Sequence, residues 1–319
     1  MGYRTVILAG DGNKSRAVYG KNKALLEMNN RPIVSYVVSA LLGSSFVGDI
    51  KIVGPQSELR KALSPHIKGF EDKIDLCEQK GSLFENAWHG VLTHLSISNE
   101  EIKASEVIYS EEPFFFISGD LPLITTYEID QFLKNCNVAE YDYMLGLTRE
   151  EFLIPYYPKD HNPGIKMAYF HLKNKLARIN NLHLIKPFQV ESRHYIQEVY
   201  DYRYQLSFKN VLALGVHFLQ TKAKFMGTLC FMALQLSSIF SRIGLTSFTR
   251  IPRRFCCEER LHRTISRILG TRFTTIETTY GGAALDIDNE KDYEIMRAMF
   301  QRWRDYQDES ALTLSAGLH

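Results

Sequence analysis

The chain has 319 residues, of which 45% are hydrophobic and 23% are charged, a composition typical of a folded globular protein rather than a disordered one. Its 38 Lys and Arg residues against 36 Asp and Glu residues leave a formal net charge of +2, so no whole-molecule field favours DNA or RNA. The five cysteines are odd in number and mostly scattered, which favours structural thiols over a disulfide framework or a zinc site. With an N-terminal apolar run too short for a signal peptide, these features predict a cytoplasmic protein that does not bind nucleic acid.

The first 150 residues alternate short apolar runs with helical patterns, which is the rhythm of a mostly parallel α/β sheet. The predicted strands are Thr5–Leu8, Ile50–Val53, Ile74–Leu76, Phe114–Ser118 and Tyr143–Leu147. The predicted helices are Ile33–Leu42, Glu58–Leu63, Leu83–Leu95 and Tyr127–Cys136, the third opening on a capping box of Ser82 and Glu85. Because residues 114–117 are continuously apolar, we expect helices on both faces of the sheet, in a three-layer α/β/α arrangement.

The rhythm breaks at about residue 150. A proline-rich loop precedes a predicted β-hairpin, Ile165–Leu172 and Leu176–Leu184, and residues 188–270 have mainly helical patterns. The second hairpin strand carries Arg178, Asn180 and Asn181. These side chains either bind a phosphate or hydroxyl of an acceptor substrate or are simply exposed polar residues of a hairpin.

Residues 225–272 combine an apolar stretch with a basic one. Phe225–Ile243 has helical apolar spacing, and the 17 uncharged residues between Lys224 and Arg242 fall short of the about 20 that a transmembrane helix needs. Residues 242–272 hold eight arginines against two glutamates, a local charge of +6. The pattern predicts a packed core helix followed by a solvated face, with a peripheral contact to an anionic membrane through 225–272 as the open alternative.

The last part of the chain returns to the sheet rhythm. Strands are predicted at Phe273–Thr278 and Ala283–Asp286, followed by a helix from Asn289 capped by Asp288. The chain is therefore predicted to build a core from residues 1–150 and 271–305. Residues 151–270 form an insertion on the acceptor side, first a hairpin and then mainly helical, and residues 306–319 form a fraying tail.

Three motifs follow predicted strands, where ligands bind in open α/β sheets. Leu8–Gly12 (LAGDG) ends the first strand, and its glycines would let backbone amides cradle a phosphate. Gly119–Thr125 (GDLPLIT) follows strand 114–118, and Asp120 either binds Mg²⁺ together with substrate phosphates or caps a turn. The third motif is Leu285–Asn289 (LDIDN), at the end of the predicted strand 283–286. Strand alternation points Asp286 and Asp288 apart. If Asp288 caps the following helix, Asp286 is free to face the site.

Together with Lys23–Leu26 (KALL), these motifs resemble the MobA-like nucleotidyltransferases, within the wider sugar-nucleotidyltransferase superfamily. The resemblance covers about residues 3–147 and 273–303. It implies a Rossmann-like fold of the nucleotide-diphospho-sugar transferase type. It also implies transfer of a nucleotidyl group from an NTP to a phosphorylated acceptor, a small molecule or a lipid-linked one, with release of pyrophosphate and Mg²⁺ as cofactor.

The resemblance also implies residue roles. The family's nucleotide-binding positions correspond to Leu8, Ala9, Gly10, Asp11, Gly12, Arg16, Lys23, Gly81 and Ser82, and its catalytic and magnesium positions to Lys23, Asp120 and Asp286. An acceptor phosphate is already anionic, so catalysis would consist of positioning and charge neutralisation, without a general base. The sequence departs from the family at Asp11, usually glycine, at Asn22, usually proline, and at Arg16, displaced by a residue.

Two other functions stay open from the sequence. A glycosyltransferase of the related fold would use Asp286 and Asp288 as its metal pair. A nucleotide-binding protein without catalysis would be consistent with the acidic residue Asp11 in the glycine loop. Release of pyrophosphate in the presence of an NTP and a phosphorylated acceptor separates nucleotidyl transfer from both.

Overall fold

A computed structural model describes residues 2–11, 17–193, 195–196 and 257–316. The strands are β1 (Tyr3–Leu8), β2 (Glu27–Met28), β3 (Arg31–Pro32), β4 (Val47–Gly54), β5 (Ile74–Glu78), β6 (Phe114–Ser118), β7 (Tyr143–Arg149), β8 (Phe170–His171), β9 (Leu176–Ile185) and β10 (Phe273–Thr278). The α-helices are α1 (Ile33–Leu42), α2 (Gln56–Leu63), α3 (Leu83–Leu95), α4 (Ile102–Ile108), α5 (Thr126–Asn135), α6 (Glu258–Leu269) and α7 (Glu290–Ala316). All nine elements predicted in the first 150 residues are present, and their ends differ by at most three residues.

The central sheet has the strand order β10-β7-β9-β6-β1-β4-β5, with β8 paired to β9. Its pairings are parallel except those of β9, which runs antiparallel to both β6 and β7, and that of the short β8. The predicted mostly parallel α/β sheet is therefore confirmed. The predicted hairpin exists, but its second strand lies in the middle of the sheet, so this part of the predicted insertion belongs to the core.

Helices cover both faces of the sheet. Helices α1, α2 and α5 pack on the face that carries Phe115 and Ile117, whereas α3 packs on the face that carries Phe114 and Phe116. Both faces of β6 are thus buried, which explains its continuous apolar run. On the α3 side, α6 contributes Leu269 to a further cluster with β7 and β10.

Three predictions for the C-terminal part are wrong. Residues 282–284 form a short 3₁₀ helix rather than a strand, since an apolar run this short does not distinguish a strand from a buried turn. Asn289, not Asp288, caps α7, because its side chain accepts a hydrogen bond from the backbone N–H of Asp292 at 2.9 Å. The tail predicted from residue 306 is helical to Ala316, and Trp303, Gln307 and Ala311 are buried at helical spacing.

Much of the predicted helical part, including Phe225–Ile243 and the arginines at 242, 250, 253 and 254, lies outside the described residues, as do Cys230 and Cys256. The three described cysteines, Cys77, Cys136 and Cys257, are free thiols. None of the helices within the described ranges has the length and apolarity that a membrane crossing requires.

Candidate active site

The site is built where β1 and β6 end side by side. Leu8 pairs with Ser118 in the parallel register, and the backbone N–H of Gly119 donates to the carbonyl of Leu8 at 2.9 Å. A Cβ placed on Gly119 would lie 2.9 Å from the Cβ of Ala9 and 3.3 Å from that of Ala24. The glycine at 119 therefore allows the loops after β1 and β6 and the segment carrying Lys23 to meet at one edge of the sheet, which is the usual ligand-binding edge of an α/β sheet.

We expect Gly119→Ala to destabilise the fold by about 1–3 kcal/mol, because the added methyl group has to displace the backbone around Ala9. Urea unfolding followed by circular dichroism measures the change. Gly81→Ala is the matched control, since its added methyl would meet only the mobile end of Glu85. Equal stabilities of the two variants would show that the crossing of the loops is not tightly packed.

The described part of the glycine loop, Leu8 to Asp11, is held by two side chains that the sequence analysis did not single out. A Cβ on Gly10 would lie 2.8 Å from Asn86 Nδ2 and 2.9 Å from Gln79 Oε1. The backbone N–H of Asp11 donates to Gln79 Oε1 at 2.9 Å, and Gln79 Nε2 donates back to the Asp11 carboxylate. The extra negative charge that Asp11 adds to the loop is therefore engaged by Gln79. The predicted nucleotide-binding residues Gly12 and Arg16 lie outside the described residues.

Ser82 begins helix α3 next to this loop. Its hydroxyl accepts a hydrogen bond from the backbone N–H of Glu85 at 3.2 Å, so the predicted N-cap is confirmed. Gly81 directly precedes it, and Gln79 and Asn86, the two side chains that contact the glycine loop, flank the pair in sequence. The structure thus places Gly81 and Ser82 beside the glycine loop.

Asn22 connects the glycine loop to Lys23. Its Nδ2 donates to the carbonyl of Ala9 at 2.8 Å, and its Oδ1 accepts from the backbone N–H of Ala24 at 2.9 Å, capping a 3₁₀ helix over Lys23–Leu25. The residue that departs from the family's usual proline thus supplies a buried tie between the two segments. It also has φ near −60°, a value that proline would share.

Lys23 is 8% exposed and lies between two carboxylates. Its Nζ is 3.5 Å from Asp288 Oδ1 and 4.0 Å from Asp120 Oδ2. Asp120 also accepts a hydrogen bond from the hydroxyl of Ser118. Burial, together with the negative charge of Asp286, raises the pKa of Asp120 to about 6, against the opposing effects of Lys23 and Ser118. Asp120 and Asp286, predicted as a pair, are therefore electrostatic neighbours although they are distant in sequence.

Asp286 is paired with Arg178, a contact that the sequence did not indicate. Arg178 Nη2 is 2.8 Å from Asp286 Oδ1, and its Nε donates to the carbonyl of Ala284 at 3.1 Å. Burial and the charges of Asp288 and Asp286 also raise the pKa of Asp292. The carboxylates of Asp120, Asp286 and Asp288 thus share two cations, Lys23 and Arg178, and their negative charge is incompletely balanced by them.

The acceptor-binding prediction is corrected in part. Asn180 is 1% exposed, and its Nδ2 contacts the hydroxyls of Thr148 and Thr278 at 3.1 and 3.2 Å, so it ties strands together and does not face a ligand. Asn181 is partly buried and donates to the carbonyl of Ala283 at 3.0 Å. Asn181 and Arg178 therefore hold the loop that leads to Asp286.

The donor set fits a magnesium ion shared with a phosphate ligand. Mg²⁺ prefers hard oxygen ligands and is commonly held by one or two carboxylates plus substrate phosphates rather than by an all-protein cage. Asp120 and Asp286 offer such a pair. Burial, together with the charge of Asp286, raises the pKa of Asp120, so a bound cation would stabilise its ionised form. Within the described ranges, no group of three or more Asp, Glu, His or Cys side chains is arranged to hold a metal by itself.

A cavity of about 530 Å³ lies at the same edge of the sheet, near the ends of β7 and β10. The turn between β8 and β9 and the start of α6 form its walls, and its charged lining residues are Arg149, Lys173, Lys175, Glu258, Glu259 and Glu277. Lys175 pairs with both Glu258 and Glu277, and Arg149 pairs with Glu277. The cavity is thus bordered by segments from the region that the sequence assigned to the acceptor side.

Comparison with solved structures finds three that are similar to this chain. A hypothetical transferase from Thermus thermophilus has 17% sequence identity and a TM-score of 0.55, covering 92% of this chain and 99% of its own. A 4-diphosphocytidyl-2C-methyl-D-erythritol synthase from Anaerococcus prevotii has 8% identity and a TM-score of 0.45, with coverages of 94% and 98%. A CMP:2-keto-3-deoxy-manno-octonic acid synthetase, complexed with CTP, has 12% identity and a TM-score of 0.48, with coverages of 95% and 99%.

No curated protein matches the chain in sequence. The MobA-like NTP transferase domain matches residues 5–179, which include the glycine loop, Lys23 and Asp120 as well as Arg178 on the central strand β9. This match spans more than half of the chain and agrees with the sheet and with the position of the motifs along its edge. The chain therefore belongs to the family of MobA-like NTP transferase domains.

Proposed function

We propose that the protein is a Mg²⁺-dependent nucleotidyltransferase that moves an NMP group from an NTP to a phosphorylated acceptor and releases pyrophosphate. The observation that carries the proposal is the convergence of Lys23, Asp120 and Asp286 beside the glycine loop, at one edge of the sheet. Family membership supports the same chemistry.

Of the loop amides, that of Gly10 would bind the triphosphate, because those of Ala9 and Asp11 donate to the carbonyl of Val53 and to Gln79 Oε1. The ammonium of Lys23 would stabilise the negative charge that develops around the α-phosphorus as the acceptor oxygen attacks and pyrophosphate leaves. Its contacts of 3.5 and 4.0 Å are longer than the roughly 2.7–2.9 Å of a tight charge-assisted bond, so Lys23 can turn to a phosphate at little cost. Mg²⁺ held by Asp120 and Asp286 would supply further charge neutralisation of the phosphates.

The glycosyltransferase alternative, with Asp286 and Asp288 as its metal pair, is less compatible with the family of the chain, which is one of NTP transferase domains. Pyrophosphate release distinguishes the proposal from this alternative and from a nucleotide-binding protein without catalysis.

A nucleotide screen tests the proposal before the acceptor is known. We expect one of the four NTPs to raise the melting temperature in the presence of Mg²⁺, by the equivalent of about 2.7 kcal/mol at a ligand concentration 100-fold above Kd. We expect Mg²⁺ alone to have little effect, because the protein offers it only two carboxylates. Asp286→Asn should abolish the Mg²⁺-dependent part, and absence of any effect with all four NTPs contradicts the proposal.

We place the acceptor against the region 151–270, where the cavity between the β8–β9 turn and α6 lies. Its lining combines three cations, Arg149, Lys173 and Lys175, with three glutamates, so it offers polar partners of both signs to an acceptor. The acceptor is either a small molecule or one linked to a lipid, and the apolar and arginine-rich residues 225–272 motivate the lipid source.

Co-sedimentation with vesicles containing anionic phospholipid separates the two acceptor sources. Binding at low salt that weakens at high salt is the result expected for the lipid-linked acceptor and for peripheral membrane contact. No binding at low salt would remove the membrane contact and leave a small-molecule acceptor, without affecting nucleotidyl transfer.

A further inference from the structure

Glu128 is a fully buried carboxylate close to the candidate site but outside it. It lies in the first turn of α5, with 0% of its surface exposed. Its Oε1 accepts from the hydroxyl of Thr278 at 3.2 Å and its Oε2 from the backbone N–H of Ala283 at 3.0 Å, with a further backbone hydrogen bond from Gly282. All of these donors are neutral.

The groups that Glu128 binds belong to the segment that leads from β10 to Asp286. Gln131, one turn further along α5, binds Thr279 of the same segment in both directions, with two contacts of 2.8 Å. Gly282 of this segment packs too closely against its neighbours for any side chain. A Cβ there would lie 2.4 Å from the carbonyl oxygen of Leu123 and 2.9 Å from Glu128 Oε2. Helix α5 therefore fixes residues 278–283 from one side.

Strand β9 fixes the same segment from the other side. Asn181 binds the carbonyl of Ala283, and Arg178 binds the carbonyl of Ala284 and the carboxylate of Asp286. Arg178 touches Asp286 directly, whereas Glu128 fixes the backbone three residues before it.

We propose that Glu128 is a positioning residue that orders the 279–288 loop and thereby sets Asp286 for its metal and phosphate ligands. This inference rests on the proposed nucleotidyl transfer. A buried carboxylate without a cation is costly, and a packing role alone would be served better by an apolar side chain. The carboxyl group adds two acceptor oxygens. One of them reaches the hydroxyl of Thr278, and the other oxygen reaches the backbone N–H of Ala283.

Two conservative variants distinguish the effect of the length of the Glu128 side chain from the effect of its charge. Glu128→Gln keeps the length of the side chain, since its carbonyl oxygen can accept from Ala283 and its amide can donate to the hydroxyl of Thr278. Glu128→Asp keeps the carboxyl group and its ability to ionise but is one methylene shorter and loses reach to the loop amides. A positioning role predicts that Asp is harmful and Gln is tolerated, the reverse of what a role for the charge predicts.

Two readouts are used, neither of which is catalytic activity. Hydrogen exchange of the free protein reports the order of residues 279–288, and thermal shift at a fixed NTP concentration gives the Mg²⁺ concentration for half-maximal stabilisation. For Glu128→Asp we expect exchange at Ala283 and its neighbours to rise about tenfold, the equivalent of one lost hydrogen bond. The half-maximal Mg²⁺ concentration should also rise roughly tenfold, as for other residues that hold a metal ligand in place. Glu128→Gln should stay close to the wild type in both.

Ile129→Val is the matched control, because this substitution of a neighbouring buried residue lowers stability without removing any of the hydrogen bonds that Glu128 makes to the loop. It should leave both readouts unchanged. Equal behaviour of the Gln and Asp variants, or an unchanged Mg²⁺ requirement in Glu128→Asp, overturns the positioning role. If the wild-type protein shows no Mg²⁺-dependent effect of any NTP, the proposed function fails, and the role assigned to Glu128 fails with it. That outcome is recognised in the wild type before any variant is compared.

Discussion

Replacing Lys23 by alanine is expected to lower the rate of pyrophosphate release by about 100-fold or more. The reason is the position of Lys23. Its Nζ lies between Asp120 and Asp288, and the preceding residue, Asn22, ties this segment to the glycine loop. No other lysine among the described residues pairs with Asp120 or Asp288. Loss of its charge also removes an effect that lowers the pKa of Asp120, so protons would compete more strongly with Mg²⁺ for that carboxylate.

Steady-state assays with saturating NTP, Mg²⁺ and the phosphorylated acceptor measure this loss, and a thermal melt of the same preparation measures the effect on stability. Lys21→Ala is the control, because Lys21 is exposed and lies only two residues away. The kcat of Lys23→Ala should fall while the control stays near the wild type. A variant that melts at lower temperature but keeps its kcat would show that Lys23 only balances buried charge.

The contribution of Glu128 to the stability of the protein is expected to fall as the pH rises from about 4.5 to about 7, and Glu128→Gln should remove this contribution. Burial raises the pKa of Glu128 from 4.5 to about 7, against the opposing effect of its hydrogen bonds. The folded state therefore binds a proton that the unfolded state has lost in this window. The stabilisation is complete below about pH 4.5 and is lost by the time the pH exceeds the folded pKa, with a magnitude of up to about 3 kcal/mol.

Urea unfolding between pH 4.5 and 8, with EDTA present, gives the free energy of unfolding of both proteins. The other titratable groups near Glu128 are Tyr156 and Tyr280, whose pKa values burial raises further above this range. Asp120 titrates in the same window but is present in both proteins, so its contribution cancels in the difference. If the free energies of unfolding of the wild type and Glu128→Gln change with pH in parallel, Glu128 is ionised throughout this range or keeps its proton on unfolding.

Local patterns predicted most of the parallel part of the fold. Helices α1 and α3 and strand β6 have the predicted ends, because their apolar spacing and the Ser82 cap are encoded within each segment. The Lys23, Asp120 and Asp286 group was identified from its motifs, and the structure brings its members to one edge of the sheet.

Contacts between distant residues were not visible in the sequence. Arg178 and Asp286 are 108 residues apart, and nothing in either motif indicates that they pair. The side-chain amides of Gln79 and Asn86 look like ordinary surface groups until the glycine loop is placed against them. The sequence predicts Asp288 as the helix cap, one residue before the true cap, because Asp and Asn are both favoured at this position and only the hydrogen bonds distinguish them.

The reversed strand β9 also has a consequence for how the chain can fold. It separates the group β5-β4-β1-β6 from the pair β7-β10, and it is the strand that hydrogen-bonds to both β6 and β7. Until residues 176–185 are in place, β6 and β7 each present an open, apolar edge, which is the kind of surface on which chains associate wrongly. A chain that ends before Leu176 would therefore lack the strand that joins β6 to β7, and residues 1–150 alone would leave that edge of β6 unpaired.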